Sequence, residues 1–119
     1  MRFPAGYGIA VGLLMILQWT FTIAAGAVPE FETAPMEIAF HLAAEFTTAL
    51  LLLIGGTATV KTISWGKPVL LTGLGMVMYS EIVSPGYYAQ LGEWGFVAMF
   101  AILLFGAVWS VMLLLKQAK

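Results

Sequence analysis

The sequence predicts an all-α integral membrane protein, folded as a four-helix up-down bundle with both termini in the cytoplasm. The first observation is composition: of 119 residues, 61% are hydrophobic and 9% are charged, whereas soluble proteins carry about 25% charged residues. The second is that the apolar residues fall into four stretches, each near the roughly 20 residues that a helix needs to cross a bilayer. We therefore expect one transmembrane domain over residues 1–119, with lipid as its solvent.

The four predicted spans are separated by short segments that contain proline, glycine or charged residues. The spans cover residues from about 7–28, 36–60, 68–84 and 95–115. Before the second span, Thr33 is a predicted N-cap, Pro35 suits the first helical turn, and Glu37 suits the positive end of the helix dipole. Pro85-Gly86 is predicted to end the third helix.

Charge gives the predicted orientation. The five basic residues flank one set of helix ends; they are Arg2, Lys61, Lys67, Lys116 and Lys119. Four of the six acidic residues flank the opposite ends; they are Glu30, Glu32, Glu37 and Glu93. The positive-inside rule places the basic ends in the cytoplasm, so we expect a multi-pass protein of the cell membrane. Tyr7 and Trp65 are predicted to lie at the cytoplasmic interface, which amphipathic rings favour.

The N-terminal segment has a second interpretation. Arg2, an apolar run and the small residues Ala25-Gly26-Ala27 resemble a secretory signal with its cleavage site. Cleavage of residues 1–27 would leave three spans in the same orientation. Against this alternative, the apolar run is long for a signal and contains Gln18.

Five polar side chains are predicted to lie in the outer half of the membrane. His41 and Glu45 are four residues apart on one helix, so they share a face and can touch. Glu81 on the third span, with Gln18 and Thr22 on the first, falls at a similar depth. Because a charged residue at the bilayer centre costs about 2.5–3.5 kcal/mol, these groups should face protein rather than lipid. We predict that the five residues bind a ligand or a proton.

Two other interpretations of this cluster stay open. His41, Glu45 and Glu81 have the chemistry of a divalent metal site, and His41 could bind a haem if a second subunit supplied another ligand. Alternatively, the His41–Glu45 contact only holds helices together, since such bonds contribute about 0.6 kcal/mol in membranes.

Composition limits the function classes. The chain has no Cys and no Asp, Ser/His/Asp set or phosphate-binding glycine loop, which argues against an enzyme. A net charge of −1 argues against a nucleic-acid partner. We predict an oligomeric transporter or channel-like protein whose polar site binds a proton, a cation or a small polar solute. The alternative is a non-catalytic subunit of a larger membrane complex that binds haem, quinone or a metal. A metal-dependent membrane enzyme is the third class.

Overall fold

The structure is a computed structural model, which describes residues 2–117. Its six helices are α1 (Arg2–Ala24), α2 (Glu30–Thr33), α3 (Pro35–Val60), α4 (Gly66–Val83), α5 (Pro85–Gln90) and α6 (Trp94–Gln117). No strand occurs within these described residues. Four segments are each long and apolar enough to cross a membrane. Three of them are α1, α3 and α6, and the fourth consists of α4 and α5 together. The predicted all-helical chain with four long apolar helices is therefore confirmed. Lys119, one of the predicted cytoplasmic charges, lies outside the described residues.

Helix α1 differs most from its predicted bounds. It begins at Arg2 and ends at Ala24, whereas the sequence suggested a span from Tyr7 to Val28. Gly26 follows with a positive φ of 68°, which glycine adopts without steric cost. The N–H of the next residue, Ala27, donates to the carbonyl of Thr22 over 3.0 Å, which is a common way to end a helix.

The start of α3 corrects one prediction. Pro35 and Glu37 lie in its first turn as expected. The capping position, however, is occupied by Ala34 and not by Thr33, and no side chain caps the helix. Thr33 is already the last residue of α2, and its hydroxyl donates to the carbonyl of Pro29 over 3.4 Å.

The segment after α4 is helical rather than an open loop. Helix α4 ends at Val83, close to the predicted end, but Pro85 then occupies the first turn of α5. Proline is favoured there because its missing N–H would have no partner inside the helix. The Pro85-Gly86 pair thus ends one helix and begins another.

Helix α3 lies between α1 and α4, and α6 packs against α4 and α1. The core consists of buried aliphatic residues from all four long helices; they are Val11, Leu52, Leu70, Leu74, Val77, Ala107 and Leu114. Glycine brings α3 and α4 close together: a Cβ at Gly66 would lie 2.6 Å from the backbone N of Thr59. Any larger residue at Gly66 would push these two backbones apart.

Candidate functional site

The two helices that form the candidate site run antiparallel. Near the connecting turn Gly66 faces Thr59, and further along Gly73 faces Leu52. The members of each pair are equally far from the midpoint of the turn at residues 62–63. The same register brings Ser80 of α4 opposite Glu45 of α3.

Glu45 is the centre of the site. It is only 7% exposed, and its carboxylate has partners from both helices. The Ser80 hydroxyl lies 3.2 Å from Oε1 and 3.3 Å from Oε2, close enough to donate to either. The Nε2 atom of His41 lies 3.5 Å from Oε1, one helical turn away on α3. The predicted contact between His41 and Glu45 is therefore present, and Ser80 joins it.

These residues line a groove of about 280 Å³ between α3 and α4. Its lining consists of His41, Ala44, Glu45, Thr48, Met76, Tyr79, Ser80, Val83 and Ser84. The lining includes no lysine and no arginine. The Thr48 hydroxyl donates to the carbonyl of Ala44 over 2.7 Å, so Thr48 can offer only acceptor lone pairs to a ligand.

The mouth of the groove is open at the side of the bundle. The His41 side chain is 49% exposed, and Tyr79 is 71% exposed. The indole ring of Trp19 on α1 meets the His41 ring edge-on, with 5.6 Å between ring centroids. The floor of the groove is therefore a buried carboxylate, and its rim is aromatic and accessible.

Glu81 lies elsewhere, in the interior of the bundle. It is 3% exposed. The Tyr7 hydroxyl donates to its Oε2 over 2.9 Å and also contacts the carbonyl oxygen of Leu103. The other carboxyl oxygen of Glu81 is buried and has no hydrogen-bond partner. Glu81 thus links α4 to α1 and α6, whereas Glu45 links α3 to α4.

The Tyr7 hydroxyl lies between two oxygen acceptors, one from Glu81 and one from Leu103, and cannot donate to both at once. A tyrosine hydroxyl carries one hydrogen, so it donates to Glu81 or to Leu103 at any one time. Both hydrogen bonds exist together only if the Glu81 carboxyl is protonated and donates to the Tyr7 oxygen. In that state Glu81 would carry no charge into the apolar core.

Gln18 and Thr22 do not join the groove lining. The Thr22 hydroxyl donates to the carbonyl of Gln18 over 2.7 Å, within α1. The Gln18 side chain is exposed. The structure therefore distributes the five predicted site residues over three places: the groove holds His41 and Glu45, the core holds Glu81, and the surface of α1 holds the remaining two.

The structure does not assemble the predicted metal ligands. Among residues 2–117, no group of three or more His, Cys, Asp or Glu side chains is placed to hold a metal ion. The reason is geometric: His41 and Glu45 point into the groove, while Glu81 points toward Tyr7 on another face of α4. His41, the only histidine of the chain, would be a single axial ligand for a haem.

A larger depression, of about 360 Å³, lies near the turn between α3 and α4. Its lining is mainly apolar, and its one ionisable residue is Lys61, which is exposed. It contains no carboxylate and no buried polar group. The smaller groove is the better candidate because its polar groups converge on a buried carboxyl group.

Two partners in these sites were not predicted from sequence. Ser80 could have been found from the antiparallel register, since it and Glu45 are equally distant from the turn. Tyr7 was predicted at the cytoplasmic interface, but its hydroxyl reaches Glu81 and its ring packs over Gly106. No spacing along the chain indicates a contact between residues 74 positions apart.

Comparison with known proteins gives a family but no described activity. No curated protein matches the chain, and no solved structure matches it. One family model matches residues 1–119, the whole chain. The chain belongs to the family described as a domain of unknown function, DUF8058.

Proposed function

We propose that this chain is a multi-pass protein of the cell membrane, with four antiparallel spans and both termini in the cytoplasm. Four helices have the required length and hydropathy. Large apolar side chains such as Phe21, Ile102 and Phe105 are exposed on the outside of the bundle, where lipid is a better solvent than water. The basic residues supply the orientation through the positive-inside rule.

Single cysteines test this topology without background, because the chain has none of its own. We expect a membrane-impermeant maleimide to label Glu32→Cys in intact cells and to label Lys61→Cys only after the cells are opened. Labelling of Lys61→Cys in intact cells would overturn the orientation. If alkaline extraction releases both variants from the membrane fraction, the proposal that the chain is inserted in the membrane is overturned.

Within this frame, we propose that the groove between α3 and α4 binds a proton or a small cation for transport. The observation that carries the proposal is the environment of Glu45: a buried carboxylate, contacted by Ser80 and His41, in a groove that no lysine or arginine lines. A carboxylate and an imidazole in contact can share and exchange a proton. Ionisable groups at such positions in membrane proteins commonly mark ion or proton pathways.

Transport would require more than one copy of the chain. A single bundle of this size has a packed core, and its groove opens sideways rather than through the molecule. A second copy placed over the exposed rim around Tyr79 would enclose the groove between two bundles. Dimers with two-fold symmetry are the commonest homo-oligomers.

Proton flux into vesicles tests the proposal. The purified protein is reconstituted into liposomes that contain a pH-sensitive dye, and a potassium gradient with valinomycin sets the membrane potential. We expect wild-type protein to acidify the lumen faster than empty liposomes, and Glu45→Gln to lose most of that increment. Glu93→Gln is the matched control, because Glu93 is an exposed residue remote from the groove.

Two results would contradict this function. One is a wild-type rate equal to that of empty liposomes. The other is a Glu45→Gln rate equal to that of wild type in vesicles with the same protein content. Cross-linking of Tyr79→Cys across two copies in the membrane would support the dimer, and its failure at every position along the rim would contradict it.

A further inference from the structure

We propose that the groove between α3 and α4 takes an amphiphilic ammonium: a protonated primary amine on a small apolar body. This inference rests on the proposed function and names the ligand class of the same groove. Its basis is the balance of charge and of hydrogen-bond acceptors in the lining, together with the direction in which the groove opens.

The charge balance favours a cation. Glu45 is the only carboxylate in the lining, and no lysine or arginine accompanies it. His41 is the one basic residue in the lining, and it lies at the exposed rim of the groove. An anion entering this groove would meet Glu45 without compensation, which disfavours it.

The acceptor balance favours a ligand that donates hydrogen bonds. A carboxylate can accept about four hydrogen bonds, whereas the Ser80 hydroxyl supplies one hydrogen to the two Glu45 oxygens. Ser80 also lies 3.4 Å from the Ser84 hydroxyl. Thr48 uses its hydrogen on α3 itself. The groove thus has more acceptors than donors, and an –NH₃⁺ group supplies three donors with the complementary charge.

The apolar part of the ligand follows from the rest of the lining. Ala44, Met76 and Val83 provide an apolar wall, and Tyr79 provides an aromatic ring at the mouth. A volume of about 280 Å³ lies just below the usual range for small-molecule sites. Since the mouth opens on the side of the bundle, a molecule with an apolar body could enter from the lipid phase with its ammonium group directed at Glu45.

Three probes of similar size separate charge from shape. We would measure binding of 2-phenylethylammonium, 2-phenylethanol and phenylacetate to the full chain in detergent by isothermal titration calorimetry, at about pH 8. They share one ring and differ in a positive, neutral or negative head group. We expect the ammonium to bind at least about tenfold more tightly than the alcohol, and the carboxylate not to bind.

Substitution then assigns the binding to the groove. Glu45→Gln should weaken ammonium binding at least about tenfold, while Glu93→Gln should leave it within about twofold. Thr48→Val, which removes an acceptor from the groove wall but no charge, should weaken it less than Glu45→Gln does. Circular dichroism and size-exclusion profiles that match wild type would show that each variant is folded.

The outcomes distinguish this inference from the proposed function. Equal affinity for the ammonium and the alcohol, or ammonium binding that Glu45→Gln leaves unchanged, would overturn the ammonium site. Absence of ammonium binding, with proton flux that still depends on Glu45, would overturn the ligand class and retain the proton site. If wild-type protein shows neither ammonium binding nor proton flux, both proposals are overturned.

Discussion

Glu45 and Glu81 are both buried carboxyl groups, but their surroundings differ. Glu45 lies on the floor of an open groove whose rim is accessible, and its carboxyl group has partners from two helices. Glu81 lies in the core beneath α1 and α6, with Tyr7 as its partner and one oxygen unpaired. The comparison shows that burial by itself does not make a carboxyl group accessible to a ligand. A site also needs a path for the ligand and unused hydrogen-bonding capacity that faces that path.

The largest expected effect concerns the interior contact. Tyr7→Phe should lower the free energy of unfolding by about 2 kcal/mol, because it leaves a buried carboxyl with no partner. Tyr79→Phe is the matched control, since Tyr79 is exposed at the groove rim, and it should change stability by less than about 0.5 kcal/mol. Unfolding in a denaturing-detergent titration measures both. Equal losses in the two variants would show that the Tyr7–Glu81 contact does not stabilise the bundle.

The next effect separates the two carboxyl groups by function. Glu45→Gln should lower proton flux or ammonium affinity about tenfold, equivalent to about 1.4 kcal/mol. Glu81→Gln should leave both within about twofold and should fold normally, because an amide can donate to Tyr7 as a neutral acid would. A larger loss of flux or affinity in Glu81→Gln than in Glu45→Gln would mean that the functional carboxyl group is Glu81, in the core.

His41 should report on Glu45 and not on Glu81. The chain has one histidine, so its imidazole gives a single set of proton NMR signals. Replacing Glu45 by Gln should change the chemical shifts of these signals, because the carboxylate 3.5 Å from Nε2 of His41 is replaced by an amide. Glu81→Gln should leave the chemical shifts unchanged. Unchanged signals in Glu45→Gln would mean that the two side chains are not in contact.

The smallest effect tests the cross-helix partner of Glu45. Ser80→Ala removes the hydroxyl that reaches both carboxylate oxygens, and we expect a loss of about 0.6 kcal/mol in ligand binding, about threefold. Ser84→Ala should have less effect, because Ser84 contacts Ser80 and not Glu45. If Ser84→Ala weakened binding more than Ser80→Ala, the ligand would have to lie nearer the C-terminal end of α4.

Part of the site could be predicted from the sequence because it lies within one helix. The contact between His41 and Glu45 follows from their spacing of four residues, which places them on one face. The capping role of Thr33 was predicted wrongly, because sequence pattern does not reveal that the preceding residues already form α2. Ser80 and Tyr7 were missed as partners of the two carboxyl groups because each comes from another helix.

The four long apolar helices can be predicted from the amino-acid sequence alone. That result depends on the length and hydropathy of each segment, and both are local properties. The packing of the helices, in contrast, places Ser80 and Glu81, consecutive on α4, in different surroundings. Successive residues on a helix point about 100° apart, so the rotation of α4 about its axis sets which neighbour each side chain meets. Close packing across the helix interfaces, such as Gly66 against Thr59, fixes that rotation. It turns Ser80 toward Glu45 in the groove and Glu81 toward Tyr7 in the core.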